Sequence, residues 1–487
     1  MNEYTYLTIS EIVAGIRSKK FSAEDICRAS LYHINRYDDS LGCFLTVTDA
    51  EAVGQAQGID RRIAQGEEVG ELAGVPIAIK DNILIRGVRC TGGSRILDTY
   101  TAAYDATVIQ RLHDASAVFV GKTNLDEFAM GASTENSAFH PTKNPWEPAR
   151  VPGGSSGGSA AAVGAGMTPV ALGSDTGGSV RQPAALCGVV GMKPSYGRVS
   201  RSGLIALSSS LDQIGPLAST VEDAARVFLT IAGKDAKDAT TVDKPIFALP
   251  DIKQDIKGLR IGIPSEFFVE GMDPAVRTHI EAALEVLKKQ GAKLVEIQLP
   301  NAMHSLAVYY VTLTSEVSTN LARLDGVRYG PGLPEGDTLA DAYSALRGKR
   351  FGAEAKRRIM LGTFALSKGY YKKYYHQAQK VRAVVRSEFA DVFKKVDCIA
   401  SATSPTVAFK LGERYDDPLT MYLSDILTVP ANIAGIPAIS VPCGFSEGLP
   451  VGLQIMGKLW DEKTVFMAAH AYEQATDWHT RRPVLST

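Results

Sequence analysis

The stretch Pro152-Gly-Gly-Ser-Ser-Gly-Gly-Ser-Ala-Ala-Ala-Val-Gly-Ala-Gly-Met-Thr-Pro-Val-Ala-Leu-Gly-Ser-Asp-Thr-Gly-Gly-Ser179 holds two glycine-rich serine loops, with Ser155 and Ser179 24 residues apart. Between them lie Ala160 to Gly166, small residues suited to a tightly packed helix, and Thr168 to Leu172, which reads as a buried strand. A Gly-Ser run by itself is flexible-linker composition. A linker, however, has polar, low-complexity flanks, and this run enters core elements. Two such turns set on a packed helix and strand gather backbone N–H groups around a ligand and present a serine hydroxyl in each.

Upstream, Gly74-Val-Pro-Ile-Ala-Ile-Lys80 is an apolar run that predicts a buried strand ending at Lys80, just before Asp81 and Asn82. Desolvation there disfavours the ammonium and makes Lys80 a candidate general base, a role closed to a solvated lysine with a pKa of about 10.4. Downstream, Leu259 to Pro264 reads as a strand, Pro274 to Gln290 as an amphipathic helix stopped by Gly291, and Lys293 to Leu299 as another strand. This βαβ alternation predicts an α/β fold, a sheet covered on both faces by helices. Two early helices are expected, Ile9 to Arg17 and one capped by Ser22 with Asp25 in its first turn. From about 303 to 386 the chain is rich in Tyr, Lys, Arg and Ala with helical periodicity, which predicts a helical insertion that shapes substrate access. No linker, repeat or charge run divides the 487 residues, so 1–487 reads as one catalytic domain carrying that insertion.

Other chemistries fit poorly. Gly121-Lys-Thr123 suggests a phosphate loop, but Ser116 stands where that loop needs glycine. His113 or His140 could in principle complete a Ser-His-Asp triad, yet neither serine sits in a GxSxG elbow. The six cysteines, Cys27, Cys43, Cys90, Cys187, Cys398 and Cys443, form no CxxC pair or zinc-like spacing and read as free thiols in a reducing compartment. Cys187 has an apolar setting that suits a buried structural residue. No metal site is expected. A net charge of −1 offers nucleic acid no global attraction. The N-terminus lacks a basic, then apolar, leader, and no segment approaches membrane-spanning length, which predicts a cytoplasmic protein.

The order and spacing of Lys80, Ser155 and Ser179 resemble the amidase signature family, and the likeness spans nearly the whole chain. The resemblance implies a single large α/β/α sandwich with a mixed central sheet. It also implies a Ser-cisSer-Lys triad, in which Ser179 is the nucleophile, Ser155 the bridging serine on a cis peptide, and Lys80 the base. A serine hydroxyl attacks only when an adjacent base takes its proton, and the same proton must later reach the leaving amine. Thr176, Gly177, Gly178 and Ser179 offer successive N–H groups for an oxyanion hole, where one donor is typically worth about 2.7–4 kcal/mol. Ala or Val at Gly177 or Gly178 is expected to damage rate more than folding.

Phe351 to Gly362 and Met421 to Thr428 resemble the branch of that family that supplies ammonia to tRNA-dependent amidotransferases. By that likeness Arg358 grips the α-carboxylate of glutamine, Asp425 pairs with its α-ammonium, and Tyr309 lines the same pocket. A guanidinium binds a carboxylate bidentately, and a general amidase needs neither charge reader. Implied partners are a kinase/transamidase subunit that holds tRNA and a small stabilising subunit. ATP and Mg²⁺ are used by the assembled complex, with no cofactor in this chain. The alternatives are a stand-alone amidase for small or aryl amides, and a non-catalytic scaffold, against which all three triad residues argue. Asp175, Arg181 and Asp212 are expected as charge-paired scaffolding. Asp126 to Asn136 borders the pocket, with Ala132 where the family often has a polar or smaller residue.

Overall fold

A computed structural model describes residues 4–332 and 338–485. Its eleven strands are β1 Phe44–Val47, β2 Pro76–Lys80, β3 Val118–Thr123, β4 Val170–Asp175, β5 Val190–Lys193, β6 Gln213–Ala218, β7 Arg260–Pro264, β8 Lys293–Ile297, β9 Cys398–Ala402, β10 Ala438–Ser446 and β11 Leu449–Gly457. They form one sheet in the order β1-β3-β2-β4-β6-β5-β10-β11-β9-β7-β8. β2 runs parallel to β3 and β4, and β7 parallel to β8 and β9, while the remaining pairs are antiparallel. The fold is the expected α/β class, a mixed sheet with flanking helices.

Local chemistry explains the elements. Every residue of β2, β3, β4 and β6 is buried, as expected of strands covered on both faces. Edge strand β8 exposes Lys293 and Glu296, charges that discourage further pairing. β10 and β11 form a hairpin whose two-residue loop, Glu447 and Gly448, has positive φ at both positions (52° and 79°), the backbone that matches strand twist. The first helix, Ile9–Arg17, is closed by a Thr8–Glu11 capping box, and the second, Ala23–Leu41, by one between Ser22 and Asp25. Helix Pro274–Lys289 links the parallel strands β7 and β8.

The 303–386 stretch contains helices Ser305–Asn320, Leu339–Arg350 and Ala353–Leu366 and most of Tyr375–Val392. Residues 333–337 of that stretch, like Met1 to Glu3, lie outside the described residues. Gly362 brings two of these helices together: a Cβ on it would lie 1.8 Å from the Thr314 carbonyl oxygen.

The Gly-Ser run is packed, not linking. Ser156 precedes helix Gly157–Gly164, and a Cβ on Gly158 would meet the backbone of Asn124 and Cys43 at 2.5–2.6 Å. Gly158→Ala is therefore expected to destabilise the protein by about 1–3 kcal/mol, since the backbone of these two residues cannot readily yield. By contrast, a methyl group on Gly348, inside helix Leu339–Arg350, would have no neighbour within 4 Å. Gly348→Ala is expected to stabilise by about 0.5–1 kcal/mol through helix propensity. Urea unfolding midpoints of the two variants check the contrast, and equal midpoints would contradict the packed reading.

Candidate active site

β2 and β4 are hydrogen-bonded neighbours, paired Ile77↔Val170 and Ile79↔Leu172, and this register carries Lys80 alongside the end of β4. Lys80 is fully buried. Its Nζ lies 2.8 Å from Ser155 Oγ, 2.8 Å from Ser156 Oγ, 3.0 Å from Ser174 Oγ and 3.3 Å from the Ser174 carbonyl. Ser174 Oγ also accepts from Asn82 Nδ2 at 2.9 Å. Burial pulls the Lys80 pKa down to about 7, opposed by the charges of Asp126, Asp175 and Asp212. The neighbours are hydroxyls rather than carboxylates, so the amine can be neutral near neutral pH and accept a proton from Ser155.

The Gly154–Ser155 peptide is cis. Gly154 N–H donates to Gln182 Oε1 at 3.0 Å, and Gln182 Nε2 donates to the Ala132 carbonyl at 3.0 Å, so the wall at Ala132 holds the serine loop through its backbone. Ser156 N–H donates to the Ser179 carbonyl at 3.1 Å and ties the two loops together. The Lys80–Ser155 contact is formed. Ser155 and Ser179 are not hydrogen-bonded to one another through their hydroxyls; such contacts commonly tighten only with substrate in place.

The Ser179 loop hangs on Asp175. Its carboxylate accepts from Gly178 N–H at 3.0 Å, Val180 N–H at 3.2 Å, Asn432 Nδ2 at 2.8 Å and Arg181 Nε and Nη2 at 3.0 Å each. Burial opposes its ionisation, but the Arg181 charge and these donors hold its pKa down at about 2. Arg181 continues to the Thr428 carbonyl at 2.9 Å and Gln454 Oε1 at 2.6 Å. Charge pairing holds for Asp175 and Arg181 only. Asp212 is instead held by Thr176 Oγ1 at 2.7 Å and the Leu207 and Ser208 N–H groups, and burial lifts its pKa to about 6.

Because Gly178 N–H is committed to Asp175, the donors this loop leaves to a ligand are those of Thr176, Gly177 and Ser179. The glycines are also packing positions. A Cβ on Gly178, whose φ is +141°, would lie 2.2 Å from Thr428 Oγ1, and one on Gly177 would lie 2.7 Å from Tyr309 Cζ. Substitution there disturbs packing as well as rate, which corrects the expectation of a mainly kinetic effect.

Tyr309 thus lies over Gly177, and helix Ser305–Asn320 carries it beside Tyr310, in edge contact at 5.0 Å. Arg358, from helix Ala353–Leu366, is 3% exposed, and its Nε donates to Glu354 Oε1 at 2.7 Å. Its guanidinium carbon is 5.4 Å from the Tyr310 ring and 5.5 Å from that of Tyr422, and those two rings stack at 3.9 Å. Neither Nη has a partner among the described residues, leaving the end of the fork for a carboxylate. Asp425 is buried with Oδ1 unpartnered. Burial pushes its carboxyl well above the usual range, Asp175 pushes the same way, and Arg358 and Arg181 pull back. A cation arriving at Oδ1 would hold it ionised. A cavity of about 150 Å³ adjoins this end, lined by residues including Gly131, Asn136, Arg358 and Tyr422. Within the 126–136 segment, Asp126 takes the Thr134 and Asn136 N–H groups. Glu127 takes the Gly352 N–H at 2.8 Å and so holds the start of the Arg358 helix.

Sequence reasoning missed Asn82, Ser156 and Ser174 around Lys80, and Glu354, Tyr310 and Tyr422 around Arg358. The two serines sit inside the quoted loops, which was a usable signal; the others depend on tertiary approach. Neither His113 nor His140 contacts Ser155 or Ser179, Lys122 is buried against Asp81 at 3.0 Å, and all six cysteines are free and buried. Among the described residues no group of three or more His, Cys, Asp or Glu is placed to hold a metal ion, and no helix is long and apolar enough to cross a membrane.

Residues 25–466 match the family model described as Amidase. The chain is 54% identical over 479 residues to the A subunit of glutamyl-tRNA(Gln) amidotransferase from Geobacillus kaustophilus, a match covering 98% of this chain and 99% of that protein. The crystal structure of the same-named protein from Thermotoga maritima is similar with a TM-score of 0.81 at 45% identity, covering 97% of this chain and 95% of that one. A bacterial aryl acylamidase of the amidase signature enzymes has a TM-score of 0.86 at 26% identity, covering 99% of this chain and all of that one.

The Lys80 surroundings set a pH dependence. Below about pH 7 the amine is protonated and cannot accept the Ser155 proton, so kcat/KM for ammonia release is expected to climb through pH 7 and level above it. Asn82→Asp places an anion behind Ser174, raises the Lys80 pKa and moves the climb up by about one pH unit. A profile flat between about pH 5.5 and 8.5 would contradict the assignment of Lys80 as base.

Proposed function

The chain belongs to the amidase family, and from that premise we propose that it is the glutamine-hydrolysing subunit of a tRNA-dependent amidotransferase. The observation that carries this reading is a pair of open polar groups, the Nη end of Arg358 and the unpartnered Oδ1 of Asp425, whose carboxyl an arriving cation would hold ionised. Together they read the α-carboxylate and α-ammonium of a free amino acid. The name of the Geobacillus relative supports the same assignment.

Ser179 Oγ attacks the side-chain amide carbon of glutamine while its proton passes through Ser155 to Lys80. The oxyanion is held by N–H groups among those of Thr176, Gly177 and Ser179, and its collapse breaks the C–N bond. Lys80 returns the proton through Ser155 to the departing amine, leaving ammonia and a glutamyl ester on Ser179. Water then hydrolyses the ester, releasing glutamate and restoring the serine. This chain needs no cofactor for that chemistry. The ammonia passes to a kinase/transamidase subunit that holds Glu-tRNA(Gln) or Asp-tRNA(Asn) and activates it with ATP and Mg²⁺, with a small third subunit stabilising the assembly in the cytoplasm.

Ammonia release from glutamine and from uncharged amides, measured on the chain co-purified with its partner subunits, tests the reading. Ser179→Ala is expected to lose at least about 10³-fold in kcat. Asp425→Asn is expected to raise KM for glutamine by about 10- to 100-fold, the worth of a charge-assisted hydrogen bond, and to leave uncharged amides unaffected. Preference for uncharged amides, indifferent to Asp425, would make the protein a stand-alone amidase.

A further inference from the structure

Helix Ala353–Leu366 turns Arg358 inward and an apolar face outward. Met360, Leu361 and Phe364 are 67%, 48% and 46% exposed, and Tyr370, Tyr371 and Tyr374 just beyond them are 40%, 42% and 42% exposed. Three of the rings form one cluster, with Phe364 4.2 Å from Tyr370 and 5.8 Å from Tyr374, and Tyr370 6.0 Å from Tyr374, while Tyr371 packs on Tyr375 at 5.6 Å. Single exposed apolar residues are ordinary, whereas a contiguous set marks an interaction surface. The charge around it is one-sided. From Ala355 to Ser387 the sequence has nine lysines and arginines and no Asp or Glu, in a chain of net charge −1. Lys356, Lys368, Lys372, Lys373 and Lys380 among them are exposed.

We propose that this face docks a protein partner whose surface is apolar at its centre and ringed by Asp and Glu, and that the partner is the ammonia-receiving subunit; the assignment rests on the function proposed above. Charge complementarity fixes the sign of the partner's rim. A protein fits better than a nucleic acid for two reasons. Met and aromatic residues at the centre with cations outside are the composition of a protein interface. The rings pack on one another, so they do not stand as separate platforms for bases. Position supports the same occupant. The helix that exposes Met360 and Phe364 holds Arg358 on its other side, and Gly362 seats it against helix Ser305–Asn320, which carries Tyr309. A partner on this face is one helix away from where the ammonia is made.

The test co-expresses the chain with the partner subunits of its amidotransferase and follows their association by sedimentation velocity across protein and salt concentration. Met360→Glu with Phe364→Glu is expected to weaken association at least about 100-fold. The triple change Lys368→Glu, Lys372→Glu, Lys373→Glu, on exposed side chains that leave folding intact, is expected to weaken it at least about 10-fold and to flatten the salt dependence seen in wild type. If the first variant fails to fold, the second decides alone. Wild-type association with undiminished binding by the variants overturns the surface and leaves the function standing. Failure of the wild-type chain to associate or to release ammonia from glutamine overturns the functional reading and this inference with it. Loss of labelled tRNA binding while the subunits still associate overturns it in favour of a nucleic-acid face.

Discussion

An amine buried at the end of a strand, with hydroxyls as its nearest neighbours, is the constraint on which the rest of this structure depends. Lowering the Lys80 pKa from 10.5 to about 7 corresponds to about 5 kcal/mol in favour of the neutral form. Any carboxylate in direct contact would cancel it. The three anions that act on Lys80 from a distance are accordingly occupied elsewhere: Asp126 by backbone N–H groups, Asp175 by Arg181 and Asn432, Asp212 by Thr176 and two N–H groups. Ser155, Ser156 and Ser174 can each accept from or donate to the amine without fixing its charge.

That arrangement requires the two serine loops to be held from behind. Arg181, with no exposed surface, binds Asp175, the Thr428 carbonyl, Asn432 and Gln454 at once, and so joins the Ser179 loop to β11 and to helix Val429–Ala434. A buried cation of this kind is tolerated only when its donors are met, and removal of any one partner leaves a charge in a dry interior. The same economy explains why Gly178 N–H goes to Asp175: the donor that shapes the loop cannot also be the donor that greets a ligand.

Much of this was legible in the sequence, and the limit is physical. Runs such as Gly74 to Lys80 and the βαβ unit from Leu259 to Leu299 carry their own periodicity, and Ser22 and Asp25 announce a helix start locally, so the α/β class and several element ends follow from short windows. Strand β4 runs on to Asp175 rather than stopping at Leu172, because its last residues are buried by pairing with β6, which no local pattern records. Lys80 and Ser174 are 94 positions apart, and Arg358 and Tyr422 meet across a gap that is also far from local, so Asn82, Ser174, Tyr310 and Tyr422 acquire their roles only from strand register and helix approach. The Asp175 claim on Gly178 lies within a few residues, yet it depends on a loop conformation that spacing alone does not specify.

Helix Ala353–Leu366, which carries Arg358, is fixed at three places along its length. Glu127 holds its first turn through Gly352, Glu354 and the Tyr310 and Tyr422 rings hold the guanidinium four residues on, and Gly362 removes the side chain that would hold it off Thr314. The three constraints fall at the start, middle and last turn of the helix, so each end and the guanidinium have their own anchor. Burial lifts the Glu127 carboxyl to about 7, against the Ser94 hydroxyl and the Gly352 N–H, so the first constraint is strongest when that group is ionised. Protonation below that pH weakens the anchor of the Arg358 helix in the same range in which Lys80 gains its proton. The helix anchor and the free amine are therefore lost over the same pH range, although one lies at the start of a helix and the other at the end of a strand.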